Sequence, residues 1–318
     1  MRTPMQIGRF SLFAVALSSL AGCGGSPPPP AESPAPPAAA PAAPPAPKLS
    51  VEVLTGSPEG FLVTSTLVSG AQDAVLIDAQ FTLADAKAVA VRIQASNKKL
   101  TTVYVTHAHP DHYFGFPAIK EAFPEAKLVA LPATIAGIEK TWRDKVKQWK
   151  PLYKEGITDQ PVVPEPLAGN SLELEGEKLE IVGGLQGDET DNSYVWIPSL
   201  GTVVAGDIVY DQVFPWTAET TPEARVAWQG TLDKLAALGA KAVVPGHQKP
   251  ERKQDPANLQ FTQGYLKAYD TALASSKTPE ELQTKVKAEY PEAALDVVLK
   301  IGAEAALKPA GKRKTAKK

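Results

Sequence analysis

The segment THAHPDHYFG, residues 106–115, places His107, His109, Asp111 and His112 within six positions. Imidazole and carboxylate at that density are donors for a divalent cation, zinc first, with iron or manganese also suited to the set. The apolar run TTVYV that leads into it reads as a strand. Side chains two apart on a strand share a face, so His107 and His109 are expected to reach one ion. Pro110 has no amide hydrogen to donate and ends the strand. Asp111 and His112 then fall in the turn that opens a helix, facing a second point a few ångströms away. The one further histidine is His247, and residues 113–246 contain none.

Positioning these side chains takes a scaffold, and strand and helix patterns alternate from residue 49 onward. SVEVLTG, GFLVTSTLVSG and AVLIDAQ read as three strands joined by short turns. TLADAKAVAVRIQAS reads as a helix with Leu83, Ala86, Ala90 and Ile93 on one face. After TTVYVTHAH come a helix start in HYFGFPAIKEAF, a strand in AKLVALP and a helix in TIAGIEKTWRDKVKQWK. A linker rich in Pro and Gly is expected over residues 151–170. The alternation then repeats: a hairpin in SLELEGEKLEIVGG, strands in SYVWIPS, TVVAGDIVY and AVVPGH, and a helix over residues 222–238. Beyond Pro250, LQFTQGYLKAYDTALASS and PEELQTKVKAEYP are helical in pattern. Two runs of strands with helices predict an α/β chain in which two mixed sheets lie between helix layers.

H-x-H-x-D-H after an apolar strand resembles the signature of the metallo-β-lactamase superfamily, and three other stretches match it in order. LIDA resembles the strand whose Asp, here Asp78, supports the metal ligands from behind. VVAGD resembles the element whose Asp, here Asp207, bridges two metals. VVPGH resembles the segment carrying the last metal-ligand histidine, here His247. Taken singly, an Asp after Gly or a lone Gly-His says little; order and strand-end placement give them weight. The resemblance spans about residues 50–250 and implies the αββα four-layer sandwich.

One position departs from the pattern. The family normally carries another histidine before the bridging Asp, in GHTxGS or GHTDTDNS, where this chain has GGLQGDETDNS. Alignment on TDNS puts Gly187 at that place, and alignment on GHTxGS puts Glu189 there. The replacement is Asp188 first, Glu189 or Gln186 otherwise, or no ligand at all. The second metal position keeps Asp111, His112, His247 and a share of Asp207. The first has His107, His109, a share of Asp207 and an open question, and is expected to bind more weakly.

The chemistry follows from such a centre. A metal-bound water has its pKa lowered to about 7 and attacks as hydroxide on a carbonyl carbon or a phosphorus. Asp111 can orient that nucleophile as well as bind metal. The expectation is a hydrolase of a small-molecule ester, lactone, amide (a β-lactam among them) or phosphoester. Alternatives are a binding protein that keeps the fold without turnover, or a single-iron oxidoreductase of the same superfamily, against which the lost histidine argues. Tyr210, Phe214 and Trp216, just after Asp207, are candidates for a substrate-lining wall, although core packing is the commoner fate of such residues.

The two ends differ from the middle. Arg2 and Arg9, then SLFAVALSSLAG, read as an export signal over residues 1–22, closed by LAGC at Leu20 to Cys23. That stretch resembles a lipobox, which implies a lipidated Cys23, the single cysteine of the chain, and excludes any internal disulfide. Residues 23–47 continue as a Pro/Ala-rich tether, residues 48–307 form the catalytic domain, and 308–318 are a basic tail expected to lack structure. By the same resemblance, Gly24 in place of the Asp that commonly retains such proteins in the inner membrane implies the outer membrane, with the domain facing the periplasm. A net charge of -2 argues against a nucleic-acid partner.

Overall fold

The computed structural model describes residues 49–307. The expected signal, Cys23, the tether and the basic tail lie outside the described residues. Six strands, β1 (Ser50–Thr55), β2 (Thr64–Ser69), β3 (Asp73–Ile77), β4 (Lys99–Val105), β5 (Lys127–Ala130) and β6 (Glu165–Pro166), form one sheet in that order. It is antiparallel from β1 to β3 and parallel from β3 to β6. The later strands are β7 (Ser171–Leu174), β8 (Glu177–Leu185), β9 (Asn192–Ile197), β10 (Thr202–Val204), β11 (Tyr210–Asp211), β12 (Ala242–Val244) and β13 (His247–Gln248). A second sheet has the order β12-β10-β9-β8-β7, with β10 and β12 parallel, while β11 and β13 form a short parallel pair. The helices are α1 (Leu83–Ala95), α2 (Phe116–Ala122), α3 (Pro132–Tyr153), α4 (Pro222–Ala237), α5 (Ala257–Ala274), α6 (Pro279–Glu289) and α7 (Asp296–Leu307).

Strand alternation sorts these elements into four layers. On β3, Ala74 and Leu76 pack outward with Ala86, Val89 and Ile93 of α1, while Val75 and Ile77 pack inward. On β4, Val103 and Val105 face the helices and Tyr104 faces the second sheet. The second sheet mirrors this: Val204 and Val244 join the core between the sheets, and Val203 and Val243 pack on Trp228 and Leu232 of α4 and on α5 to α7. A period of two therefore gives each sheet two apolar faces, one for its partner sheet and one for its helices. The result is the mixed-sheet αββα sandwich. Thr82, Thr221 and Thr278 cap α1, α4 and α6 by accepting the backbone N–H three residues on.

Several boundaries differ from the sequence reading. The second strand begins only at Thr64, because residues 58–60 form a 3-10 turn, with Phe61 and Leu62 at φ 61° and 56°. The helix expected from His112 begins at Phe116, after a 3-10 turn over Pro110–His112. α3 continues through Pro151 to Tyr153, since a proline in the last turn forfeits one hydrogen bond without breaking the helix ahead of it. The linker that follows holds β6. α7, not anticipated as a separate helix, completes the outer layer with Val298 and Leu299. Among the described residues no helix is long and apolar enough to cross a membrane.

Candidate metal centre

β3, β4, β10 and β12 end on the same edge of the sandwich, and the segments that leave those ends carry the polar cluster. β4 stops at Val105, so His107 and His109 lie in the loop beyond it rather than on the strand. Loop geometry, not strand alternation, brings their rings to 5.0 Å. Asp207 likewise sits in a 3-10 turn after the three-residue β10, and His247 opens β13 rather than closing β12.

The side chains converge on Asp207. Its Oδ1 is 3.2 Å from His112 Nε2, and its Oδ2 is 3.1 Å from His247 Nε2 and 3.7 Å from His107 Nε2. Asp111 Oδ2 lies 3.3 Å from His247 Nε2 and 3.8 Å from His112 Nε2. Glycine makes this approach feasible, because a Cβ on Gly246 would collide with Asp207 Oδ1. Tyr210 donates its O–H to Asp207 Oδ2 at 2.6 Å, and its ring stacks on His247 at 5.2 Å.

Asp188 is fully buried and joins the same cluster. Its Oδ2 is 2.8 Å from His109 Nδ1, and its Oδ1 is 3.9 Å from His107 Nε2. The other candidates for that place point elsewhere. Gln186 donates to the Gly187 carbonyl, and Glu189 accepts the Ala108 N–H at 2.9 Å. Gly187 itself has no room for a side chain, since a Cβ there would lie 2.9 Å from the Asp207 carbonyl and from Asn192. Donor atoms of His107, His109, Asp188 and Asp207 lie within 4.8 Å of one another, as do those of Asp111, His112 and His247.

Asp78, at the end of β3, stands behind the cluster at φ 62°, a region that Asp tolerates better than most residues. It accepts the Thr106 N–H and O–H and contacts His112 Nδ1 at 2.8 Å. The Phe61 carbonyl lies 2.6 Å from His247 Nδ1.

Burial and charge shift these groups in opposite directions. Burial pushes the Asp188 carboxyl up to about 7, against the pull of His109. For His109 burial opposes the charged form, but Asp188 and Glu189 outweigh it and hold the ring well above its usual range. Burial also opposes the charged forms of His112 and His247, yet Asp207 and the neighbouring carboxylates lift both, His247 to about 10. Asp207 stays well below the carboxylate range because His247, His112 and His107 overcome its burial. His107 alone is held well below the imidazole range, by burial and then by the charge of His112.

This donor set fits a divalent cation. His107 Nε2, His112 Nε2 and Asp207 Oδ1 are buried and have no hydrogen-bond partner; the 3.2 Å contact between the last two is not aligned as a hydrogen bond. Buried polar atoms are normally satisfied, so three orphans gathered at Asp207 call for further partners. Neutral imidazole nitrogens and carboxylate oxygens are what a divalent ion takes.

A pocket opens over the cluster. Tyr210, Phe214 and Trp216 line it, and Tyr210 and Phe214 also belong to the core beneath. The sequence reading did not single out Phe61, nor Lys145, Gln148 and Trp149 of α3, nor Leu295 and Val298 near α7, all of which line the same pocket. Lys145, Gln148 and Trp149 have the i, i+3, i+4 spacing of one helix face, which was the available signal. Glu219, 2.9 Å from His109 Nε2, had none.

The chain belongs to the metallo-beta-lactamase superfamily, whose family model matches residues 58–247, more than half of the chain. It is 28% identical over 160 residues to a metallo-beta-lactamase type 2 from Bacillus sp. (strain 170), covering 48% of this chain and 53% of that one. The chain thus spans about half the length of that relative. A metallo-beta-lactamase family protein from Thermus thermophilus shares the fold at TM-score 0.59 and 21% identity, over 81% of this chain and 91% of that one. A metallo-beta-lactamase from Pontibacter korlensis does so at 0.52 and 20%, over 69% and 95%. A stereoselective inverting sec-alkylsulfatase from Pseudomonas sp. does so at 0.54 and 16%, over 76% and 47%. Family membership together with the His/Asp cluster supports a metal-dependent hydrolase in general terms.

Proposed function

We propose that the domain hydrolyses a small-molecule ester, lactone, amide or phosphoester with two divalent ions, zinc first. His107, His109, Asp188 and a share of Asp207 would hold one ion; Asp111, His112, His247 and the rest of Asp207 would hold the other. A carboxylate at 188 in place of imidazole admits harder ions such as manganese or iron(II) at the first position. The observation that carries the reading is the set of three buried, unpartnered donor atoms around Asp207. Bound ions supply Lewis acidity, acidifying water and polarising the substrate oxygen.

The chain's own groups do the rest. Asp78 and the Phe61 carbonyl orient His112 and His247. Tyr210 fixes the Asp207 carboxylate. Asp111, whose side chain is 15% exposed and lines the pocket, is placed to orient an incoming water. Phe61, Trp149, Phe214 and Trp216 offer apolar walls to the group beside the scissile bond. The names of the relatives assign no substrate, because one fold serves many chemistries.

The test is metal content by mass spectrometry, followed by assay of the loaded protein on p-nitrophenyl esters, lactones, phosphodiesters and nitrocefin. Turnover of one class, lost in Asp111→Asn, is expected. Tight metal with no turnover of any class would favour a binding role, and no metal would sink the reading. The proposal also places the domain at the cell envelope through Cys23, on the strength of the LAGC stretch. Cys23→Ala should move the protein from the membrane fraction to the soluble one; an unchanged distribution would refute the anchor.

A further inference from the structure

Each of the four histidines turns one ring nitrogen toward Asp188, Asp207 or Asp111, and each has the other nitrogen held from behind. Thr106 Oγ1 is 3.0 Å from His107 Nδ1, Asp78 holds His112 Nδ1, and the Phe61 carbonyl holds His247 Nδ1. His109 is turned the other way round: Nδ1 faces Asp188 at 2.8 Å, and Nε2 meets Glu219 Oε2 at 2.9 Å. The first three partners are supplied from within the sandwich. Glu219 comes from the segment between β11 and α4, is 40% exposed, and is bound in turn by Lys145 of α3 at 2.9 Å. α3 packs on the first sheet and α4 on the second, so the chain Lys145–Glu219–His109 joins the two halves at the rim of the pocket.

We infer that Glu219 is a positioning residue for His109. It accepts the Nε2–H, so that the proton an arriving ion would displace is the one on Nδ1, and Lys145 holds Glu219 in place. The inference rests on the metal reading above. A carboxylate behind a ligating histidine fixes both its tautomer and its ring orientation, and losing one typically costs about 10- to 100-fold in metal affinity. The need is greatest at the first position, where a carboxylate stands in for the family's third imidazole; Glu189 Oε2, 3.6 Å from the same Nε2, is beyond hydrogen-bond distance. His109, Glu189 and Glu219 also approach one another closely enough to suggest a separate cation site. Two contacts disfavour it: the Lys145 ammonium already neutralises Glu219, and Glu189 spends Oε1 on the Ala108 N–H.

The test uses the full chain titrated with zinc, read by calorimetry and by ¹⁵N–¹H NMR of the imidazoles, which four histidines keep assignable. Zinc-loaded protein should show His109 protonated at Nε2 and ligated through Nδ1. Glu219→Ala should weaken the weaker zinc phase about 10- to 100-fold, leave the tighter phase unchanged and remove the defined Nε2–H signal. Glu219→Gln, whose amide oxygen still accepts, should recover most of that affinity, and Lys145→Met should lose a smaller part. Ligation of His109 through Nε2 would overturn the inference, as would a Glu219→Ala protein that binds zinc like the parent. No zinc binding by the parent would overturn both this inference and the proposed function, so the two failures are distinguishable.

Discussion

Asp207→Asn is expected to abolish tight ion binding and to lower any hydrolytic activity by two decades or more. Among the described residues Asp207 is the one carboxylate that faces both groups of histidines, with oxygens 3.2, 3.1 and 3.7 Å from the Nε2 atoms of His112, His247 and His107. Asparagine keeps the volume and one acceptor. It removes the charge, however, and turns an NH2 donor toward ring nitrogens that must offer lone pairs. Removing one partner from a buried charged set costs about 3–5 kcal/mol. At about 1.4 kcal/mol per tenfold, that is roughly two to three and a half decades in affinity. Tyr210→Phe is the milder control, since it removes only the hydroxyl that donates to the ionised Asp207 and lies 3.3 Å from Asp188, about 1.5–3 kcal/mol. Calorimetric titration and kcat/KM on the substrate found in the screen would measure both variants. An Asp207→Asn protein that still takes up two ions with parental affinity would show that the histidines meet for another reason.

Asp207 was legible because its neighbours in sequence were. Apolar runs closed by Gly-Asp and Gly-His, in the right order after a dense His/Asp motif, marked the ends of strands, and strand ends are where this sandwich gathers its loops. The layers were legible for the same reason: alternation in AVLIDA and TTVYV sends successive side chains to opposite faces, and the structure sorts them that way. What alternation could not supply was the geometry beyond the strands. His107 and His109 were expected to share a strand face, yet they share a loop, and Asp207 lies in a turn. Loop conformations depend on distant contacts such as the Thr106 N–H to Asp78 and the Gly246 N–H to the Gly206 carbonyl. No local pattern encodes those contacts.

The outer parts of the site were less legible still. α7 follows α6 after a short turn, and its start carries no Ser, Thr or Pro signal of the kind that marks α4 and α6. Glu219 sits among polar residues that read as an ordinary connection before a helix. Its role emerges only when the sandwich closes, because its two partners, His109 and Lys145, lie 110 and 74 residues away in the chain. The substitution at the missing histidine falls between these extremes. Its location was plain from the motif, but the choice among three adjacent side chains depended on which one the turn buries.

That turn makes Asp188 the second large test. Asp188→Ala should abolish the weaker of two ion-binding phases and leave the tighter one intact. Asp188 contacts His109 and faces His107, while the nearest groups on the other side of Asp207, Asp111 with His112 and His247, form a set of their own. Removing Asp188 leaves the first position with two imidazoles and a shared carboxylate, and leaves the second unaltered. The buried carboxyl, pushed up to about 7, also costs the metal-free protein a desolvated acid that a cation would relieve. Asp188→His is the informative companion. It returns an imidazole to the loop and should shift the first position from manganese toward zinc. The gain is bounded by space: Asp188 already accepts from the Glu189 N–H and from Asn192, and its other oxygen lies 3.3 Å from the Tyr210 hydroxyl. Overpacking typically costs about 1–3 kcal/mol. A lower melting temperature of the metal-free variant together with tighter zinc binding is therefore the expected pair of results. If Asp188→Ala retains both phases, the first ion, where one binds, does not use this carboxylate. If it loses both, the two positions are not separable in the way the geometry divides them.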